Sequence, residues 1–424
     1  VVNNRARLSE NILWLLVDRG SRLLVAFFVG IWTARVLGPE LYGAFNYAQA
    51  WVGILAFLGV AGIETIVVKQ LVEEPAAKNE ILGSAFALRF VGGLATVLAA
   101  CLLGVAQGSE HQSLLSVAPF LAAASLLQAF DIVDVSLRVE LLSRYSVLAR
   151  LSALTLGALL RVMALETSHP LMALAIAVAI EAAIAAVCLV MALRRGSVRF
   201  GSWAWNGRRM RSILALSWPV LLSGIAVAIY SRLSVVLLGN YHDQRAVGIF
   251  AVATVMVEAF HAIPTAVMAS YAPVLLRRHA HSFDGLASDV AGLLRAFIPL
   301  SVAIGIVVVL GGDWLTSLLF GHRYTGSGPV LALLVWSLIF VYISIVSEVW
   351  FLASGALKYL LPKTLVAAAV SLILNLLLIP AYGAKGAAVA TVVSYSVTAF
   401  WANALFPATR PLFWLQVRAM LFFR

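Results

Sequence analysis

The residues that could do chemistry in this chain are ionisable groups set inside long apolar runs. Asp18, Arg19 and Arg22 lie in the run that begins at Trp14, and Arg89, Asp131, Asp134, Glu181, Arg232, Glu258, His261, Arg295 and Glu348 lie in later ones. A charge at the centre of a membrane helix costs ~2.5–3.5 kcal/mol on insertion scales, so such groups face a bundle interior or a wet cavity. An arginine there stays charged and grips phosphate oxygens through two parallel N–H bonds. A carboxylate or histidine in the same setting can take up and release a proton or hold Na⁺. The sequence carries no glycine-rich ATP loop, nucleophile elbow or HExxH helix. It is therefore read as a non-enzyme that draws on an ion gradient, the membrane potential or a substrate gradient. Cys101 and Cys188, each inside an apolar run, read as packing residues with no metal or disulfide spacing.

Each charged group also has a structural reading. Asp18 and Arg22 are four apart and can pair along one helix face, as can Asp134 and Arg138. Glu258 and His261 are three apart, and form either a proton-binding pair or a polar contact between helices. Glu181 and Glu348 can line a path, hold Na⁺ or pair with an arginine. Trp51, Tyr230, Trp336, Tyr342, Trp350 and Tyr395 can stack on sugar faces, pack, or face lipid.

The elements that must position these residues are membrane helices. The 424 residues are 62% hydrophobic and 12% charged, about half the charged share of a soluble domain. The apolar runs are continuous, which excludes the alternating pattern of a membrane barrel. They predict an all-α polytopic protein with about twelve spans, at 12–36, 42–63, 82–106, 113–137, 146–166, 170–193, 213–238, 247–270, 290–311, 328–352, 361–380 and 385–406. The basic start (Arg5, Arg7) with its apolar run reads as a retained first helix.

The net charge of +11 lies mostly in short loops, which argues for membrane topology and against a nucleic-acid partner. One side collects Arg5, Arg7, Lys69, Lys78, Arg138, Arg144, Arg150, the arginines of 194–212, Arg277, Arg278, Lys358, Lys363, Arg410, Arg418 and Arg424. The other holds Arg35, Arg245, Arg323 and Lys385. A ratio of roughly five to one places both termini in the cytoplasm.

The chain divides into an N-terminal six-helix half (1–193), a basic cytoplasmic connector (194–212) and a C-terminal six-helix half (213–424). The connector holds Trp203 and Trp205, and reads either as an ordinary positive-inside loop or as an anionic-lipid site. Gly43-Ala44-Phe45-Asn46-Tyr47-Ala48 and Gly248-Ile249-Phe250-Ala251-Val252-Ala253 share a GxFxxA pattern, each after a Leu-Gly, which suggests parallel repeats. Between the second and third spans, residues 64–83 suit a short amphipathic surface helix broken by Pro75.

Several stretches resemble a known family. LGPELYGAFNYA (37–48), GIETIVVKQL (62–71) and ILGSAFALRFVGG (81–93) are similar to the opening of the polysaccharide-biosynthesis flippases, the Wzx-type members of the MOP superfamily. Residues 375–391 are similar to that family's NLxLIPxYGxxGAAxAT pattern, preceded by Gly355-Ala356-Leu357-Lys358-Tyr359. The resemblance covers nearly the whole chain. It implies two pseudo-symmetric halves around a central cavity in the bacterial cytoplasmic (inner) membrane. It implies transport of an anionic polyprenyl-pyrophosphate-linked oligosaccharide, the repeat unit of an O-antigen or other lipopolysaccharide or exopolysaccharide. On this reading Arg22 and Arg232 bind the anionic head, with Arg19, Arg89 and Arg295 beside them. Glu258, His261, Asp18, Asp131 and Glu348 are the candidates for ion coupling.

No cofactor is expected beyond a coupling ion, H⁺ or Na⁺. The expected partners are the lipid-linked oligosaccharide, membrane lipids, a polysaccharide polymerase and a chain-length regulator, with the protein itself a monomer. The alternatives are a cation-coupled multidrug exporter of the same superfamily and a membrane polysaccharide polymerase. An arginine-rich set argues against the first, and the shortness of the loop around 311–328 against the second.

Overall fold

The structure is a computed structural model that describes residues 2–60, 63–106, 112–196, 199–279 and 285–421. Gly62 and Arg424, cited above, lie outside the described residues, as do the side chains of Arg5, Arg7 and Arg277. The described residues are helical, with no strand among them.

In chain order the helices are α1 (Val2–Val60), α2 (Ile63–Glu73), α3 (Lys78–Ala106), α4 (Gln112–Leu127), α5 (Asp131–Val139), α6 (Ser143–Ala164), α7 (Pro170–Leu193) and α8 (Gly207–Tyr241). There follow α9 (Gln244–Phe260), α10 (Ala262–Arg278), α11 (Leu286–Phe320), α12 (Ser327–Leu334), α13 (Ser337–Ala353), α14 (Leu360–Ser396), α15 (Ala402–Leu405) and α16 (Arg410–Leu421).

Ten helical runs among the described residues are long and apolar enough to cross a membrane. Two of them, Val17–Ala56 and Ala356–Leu405, far exceed the ~20 residues that one crossing needs. Each turns at a glycine, Gly38 (φ 74°, ψ 172°) in α1 and Gly383 (φ 56°, ψ −132°) in α14. Positive φ is strained for any residue with a Cβ, so glycine is the residue these turns admit. Dividing the two bent runs there accounts for twelve segments. This is a multi-pass membrane protein.

Contacts divide the chain into two compact units: Val1–Leu37 with Tyr47–Ile225, and Gly38–Asn46 with Ala226–Arg424. The 38–46 turn thus packs with the second unit, and residues 194–225 with the first. Gly43 and Gly248 explain the first of these. A Cβ on Gly43 would sit 1.7 Å from the Gln244 carbonyl oxygen, and one on Gly248 would sit 2.1 Å from that of Pro39. The two GxFxxA motifs therefore meet backbone to backbone, through the one residue type without a side chain. Arg245 at the start of α9 donates to Glu40 at 2.7 Å and to the Arg323 carbonyl at 3.2 Å, fixing the same turn.

In the first unit, α6 packs along α7, and α4 packs on both α3 and α7. The helix expected over 64–83 ends at Glu73, where Pro75 opens a short 3₁₀ turn. It buries Ile63, Val67 and Leu71 against Ile81, Leu82 and Ala85 of α3, Ile132 and Val135 of α5, and Ile213 of α8. In the second unit, α11 packs on α12, α13 and α16, and α14 packs on α9, α12 and α13. A buried polar net closes it. Gln416 of α16 donates to Ser347 Oγ at 3.0 Å and accepts from Asn403 at 3.1 Å.

Candidate functional site

In the first unit the charges converge. The short α5 sets Asp131, Asp134 and Arg138 at i, i+3 and i+7, one face of a helix, while Ile132, Val133, Val135 and Leu137 are buried around them. Arg138 reaches Glu64 of α2 at 2.5 Å and Asp134 at 3.1 Å. Arg150 of α6 reaches Asp134 at 2.8 Å and Asp131 at 3.2 Å. Arg89 of α3, 4% exposed, lies 3.7 Å from Glu64. Asp18 of α1 is buried, pairs with Arg22, and is acted on electrostatically by Arg150, Arg138 and Asp134. Four carboxylates and four guanidinium groups from five helices make one formally neutral cluster.

Several of the pairings that the spacing allows are present. Asp18 and Arg22 form the intrahelical pair that their spacing allows, with 49% of the Arg22 side chain still exposed. Asp131 is engaged by Arg150. Glu181 of α7 pairs with Arg161 of α6 at 2.7 Å. Gly157 makes room for it, because a Cβ there would lie 2.3 Å from the carboxylate.

The second unit is different. Arg232 is exposed on α8 within a span, and makes no ion pair among the described residues. Glu258, exposed on α9, is the carboxylate that Arg232 influences, without direct contact. Tyr395 feels both charges, and stands edge-to-face with Tyr230 at 6.0 Å. Glu258 and His261 are joined by backbone: the His261 N–H donates to the Glu258 carbonyl at 3.0 Å, at the turn between α9 and α10. No hydrogen bond joins their side chains among the described residues, and His261 Nε2 is buried without a partner there. Arg19 on α1 and Arg295 on α11 are exposed and make no ion pair among the described residues. Glu348 is exposed on α13.

Arg22, Asp18, Arg89 and Asp131 are thus brought together, Arg232 and Glu258 form a second locale, and Arg19, Arg295 and His261 join neither through an ion pair among the described residues. The sequence reasoning missed Glu64 and Arg150 as cluster members. Both sit near predicted span ends and have no opposite charge at helical spacing, so their partners emerge only from packing between helices. Among the described residues, no group of His, Cys, Asp and Glu side chains is arranged to hold a metal ion.

The helical architecture is that of the MOP-superfamily flippases and multidrug transporters. A lipid II flippase, MurJ, in an inward closed conformation superposes with a TM-score of 0.73 at 14% identity, covering 97% of this chain and 91% of that one. An inward-facing MATE multidrug transporter gives 0.66 at 16% identity, with 94% of each chain covered. A MOP-superfamily transporter from Pyrococcus furiosus, described as having a binding pocket of reverse polarity, gives 0.59 at 16% identity, covering 98% and 95%. Within that class the chain belongs to the polysaccharide biosynthesis protein family, whose model matches residues 8–278. A probable low-salt glycan biosynthesis flippase, Agl15 of Haloferax volcanii, is 23% identical over 376 residues, spanning 87% of this chain and 77% of that protein. The named relatives are flippases and transporters rather than enzymes.

Proposed function

We propose that this protein carries a polyprenyl-pyrophosphate-linked oligosaccharide, the repeat unit of an O-antigen or exopolysaccharide, from the cytoplasmic to the periplasmic leaflet of a bacterial inner membrane by alternating access. Both termini lie in the cytoplasm, and the protein works as a monomer beside a polysaccharide polymerase and a chain-length regulator. The observation that carries this reading is Arg232, an exposed guanidinium within a span with no ion pair among the described residues. Holding such a charge in a membrane without a partner is costly, and a pyrophosphate is an anion that offsets the cost through charge-assisted hydrogen bonds. Arg22 is the second ligand: Asp18 takes one N–H, and the exposed half of the side chain keeps others for the cargo. Family membership and the glycan flippase relative support the class of cargo.

Glu258 is the coupling carboxylate. It holds H⁺ or Na⁺ while Arg232 is unliganded, and the charge on Arg232 tunes its hold. The test is movement of labelled polyprenyl-pyrophosphate oligosaccharide in sealed vesicles with and without an imposed pH or Na⁺ gradient, for the wild type and Glu258→Gln. Protein-dependent movement that one of the two gradients accelerates in the wild type alone is expected. Movement indifferent to pH and Na⁺ gradients removes the coupling role. No movement in folded protein removes the cargo.

A further inference from the structure

The connector after α7 carries a second basic feature, apart from the intramembrane charges. Residues 199–206 are folded onto the first unit. Phe200 is tilted against Trp203 at 4.9 Å, and meets Phe86 edge-on at 5.4 Å and Phe130 face-on at 5.8 Å. The Ala204 N–H donates to the Asn79 carbonyl at 3.3 Å, and a Cβ on Gly83 would lie 2.2 Å from the Ala204 carbonyl oxygen. The turn is therefore a built surface rather than a loose loop.

It borders a half-open pocket of about 470 Å³ lined by Val190, Leu193, Arg194, Arg199 and Phe200. Val190, Leu193 and Phe200 make an apolar wall, and two arginines complete the lining. Arg194 and Arg199 are exposed and make no ion pair among the described residues. The nearby carboxylate, Glu140, is engaged by Lys78. Arg209, further along, is held by Glu74 at 2.7 Å and Glu80 at 3.4 Å, and Arg195 lies over the Tyr145 ring at 6.0 Å. On α7, Val187 (59% exposed) and Met191 (52%) lead up to Arg194 and Arg195 at helical spacing, as the outer face of a span does. An apolar track thus ends at a pocket with two unpaired cations.

We propose that this pocket binds the phosphate headgroup of an anionic bilayer phospholipid, with an acyl chain lying along Val187 and Met191. The carbonyl end of α7 repels an anion, so Arg194 and Arg199 carry the attraction to an anionic headgroup. The apolar wall selects an amphiphile over free phosphate. The site is independent of the cargo reading, since neither Arg22 nor Arg232 contributes to it.

The test uses the full chain in detergent, titrated with phosphatidylglycerol, phosphatidylcholine or inorganic phosphate. Retained lipid is counted by native mass spectrometry, and the melting temperature is recorded. The wild type is expected to retain phosphatidylglycerol and gain melting temperature with it alone. Arg194→Gln/Arg199→Gln is expected to weaken that retention about 10-fold or more, with its melt in phosphatidylcholine unchanged. Arg208→Gln/Arg211→Gln, which removes two exposed arginines of the same basic stretch outside the pocket, is expected to retain the lipid. Equal retention by the Arg194/Arg199 variant overturns the proposal. So does equal loss in both variants, which would mark a diffuse basic surface, or equal protection by inorganic phosphate, which would mark a phosphate site.

Discussion

The first unit gathers four carboxylates and four arginines into one cluster, whereas the second leaves Arg232 and Glu258 apart, both exposed. Both regions put ionisable groups inside spans, so the membrane cost per group is similar. The difference lies in what offsets it. In the first unit protein charges neutralise one another, and the cluster ties α1, α2, α3, α5 and α6 together. In the second, Arg232 lacks such a partner among the described residues, and under the proposed function the anionic cargo supplies one. A basic residue within a span is therefore not by itself a sign of a ligand site, since protein carboxylates can offset its charge.

The sharpest way to break this comparison is to remove Arg150. It bridges Asp131 and Asp134, and truncating one partner of a buried pair typically costs ~3–5 kcal/mol because the other charge is left uncompensated. Arg150→Ala is expected to lower the melting temperature or the yield of folded protein sharply, with partial recovery in Arg150→Ala/Asp134→Asn. A stable Arg150→Ala protein would show that the cluster does not hold the unit together.

The glycine pair comes next. Gly248→Val forces a side chain onto the Pro39 carbonyl, an overpacking that costs ~1–3 kcal/mol or more. Thermal melts of Gly248→Val and Gly43→Val should both fall, whereas that of Gly292→Ala, inside α11 and facing open space, should hold or rise slightly.

In contrast, Arg232→Ala removes an unpaired charge from a span, so its melt should not fall below that of wild type, while transport falls. The smallest effect lies outside the spans. Arg209 holds the Glu74 carboxyl below its ordinary value of 4.5, chiefly through their hydrogen bond. A lowered folded pKa stabilises fully above the unfolded value, and that stability is lost as pH falls through the folded one. The small melting advantage of wild type over Glu74→Gln should therefore be present at neutral pH and shrink as pH drops below 4.5.

Much of the architecture was legible in the residues. Apolar length located the spans, and the Leu37-Gly38-Pro39 and Tyr382-Gly383 signals marked two turns that the helices otherwise conceal. The Asp18–Arg22 pair followed from spacing alone. What could not be read was contact between helices. The GxFxxA motifs announced themselves as repeated sequence, but their meeting through Gly43 and Gly248 needs three-dimensional packing. Glu64 looked like one acid on a surface helix, yet it anchors Arg138 and approaches Arg89. Helical spacing set Glu258 and His261 on one face, and among the described residues only a backbone hydrogen bond joins them.

The most direct test of the account measures two quantities on the same vesicles, flux of labelled polyprenyl-pyrophosphate oligosaccharide and the melting temperature, for wild type, Arg232→Ala and Arg150→Ala. Arg232→Ala is predicted to melt no lower than wild type and lose about 10-fold or more of the flux, equivalent to ~1.4 kcal/mol of headgroup binding. Arg150→Ala is predicted to lose stability first. Wild-type flux in Arg232→Ala, or a melt as damaged as that of Arg150→Ala, would contradict the division of labour between the two regions.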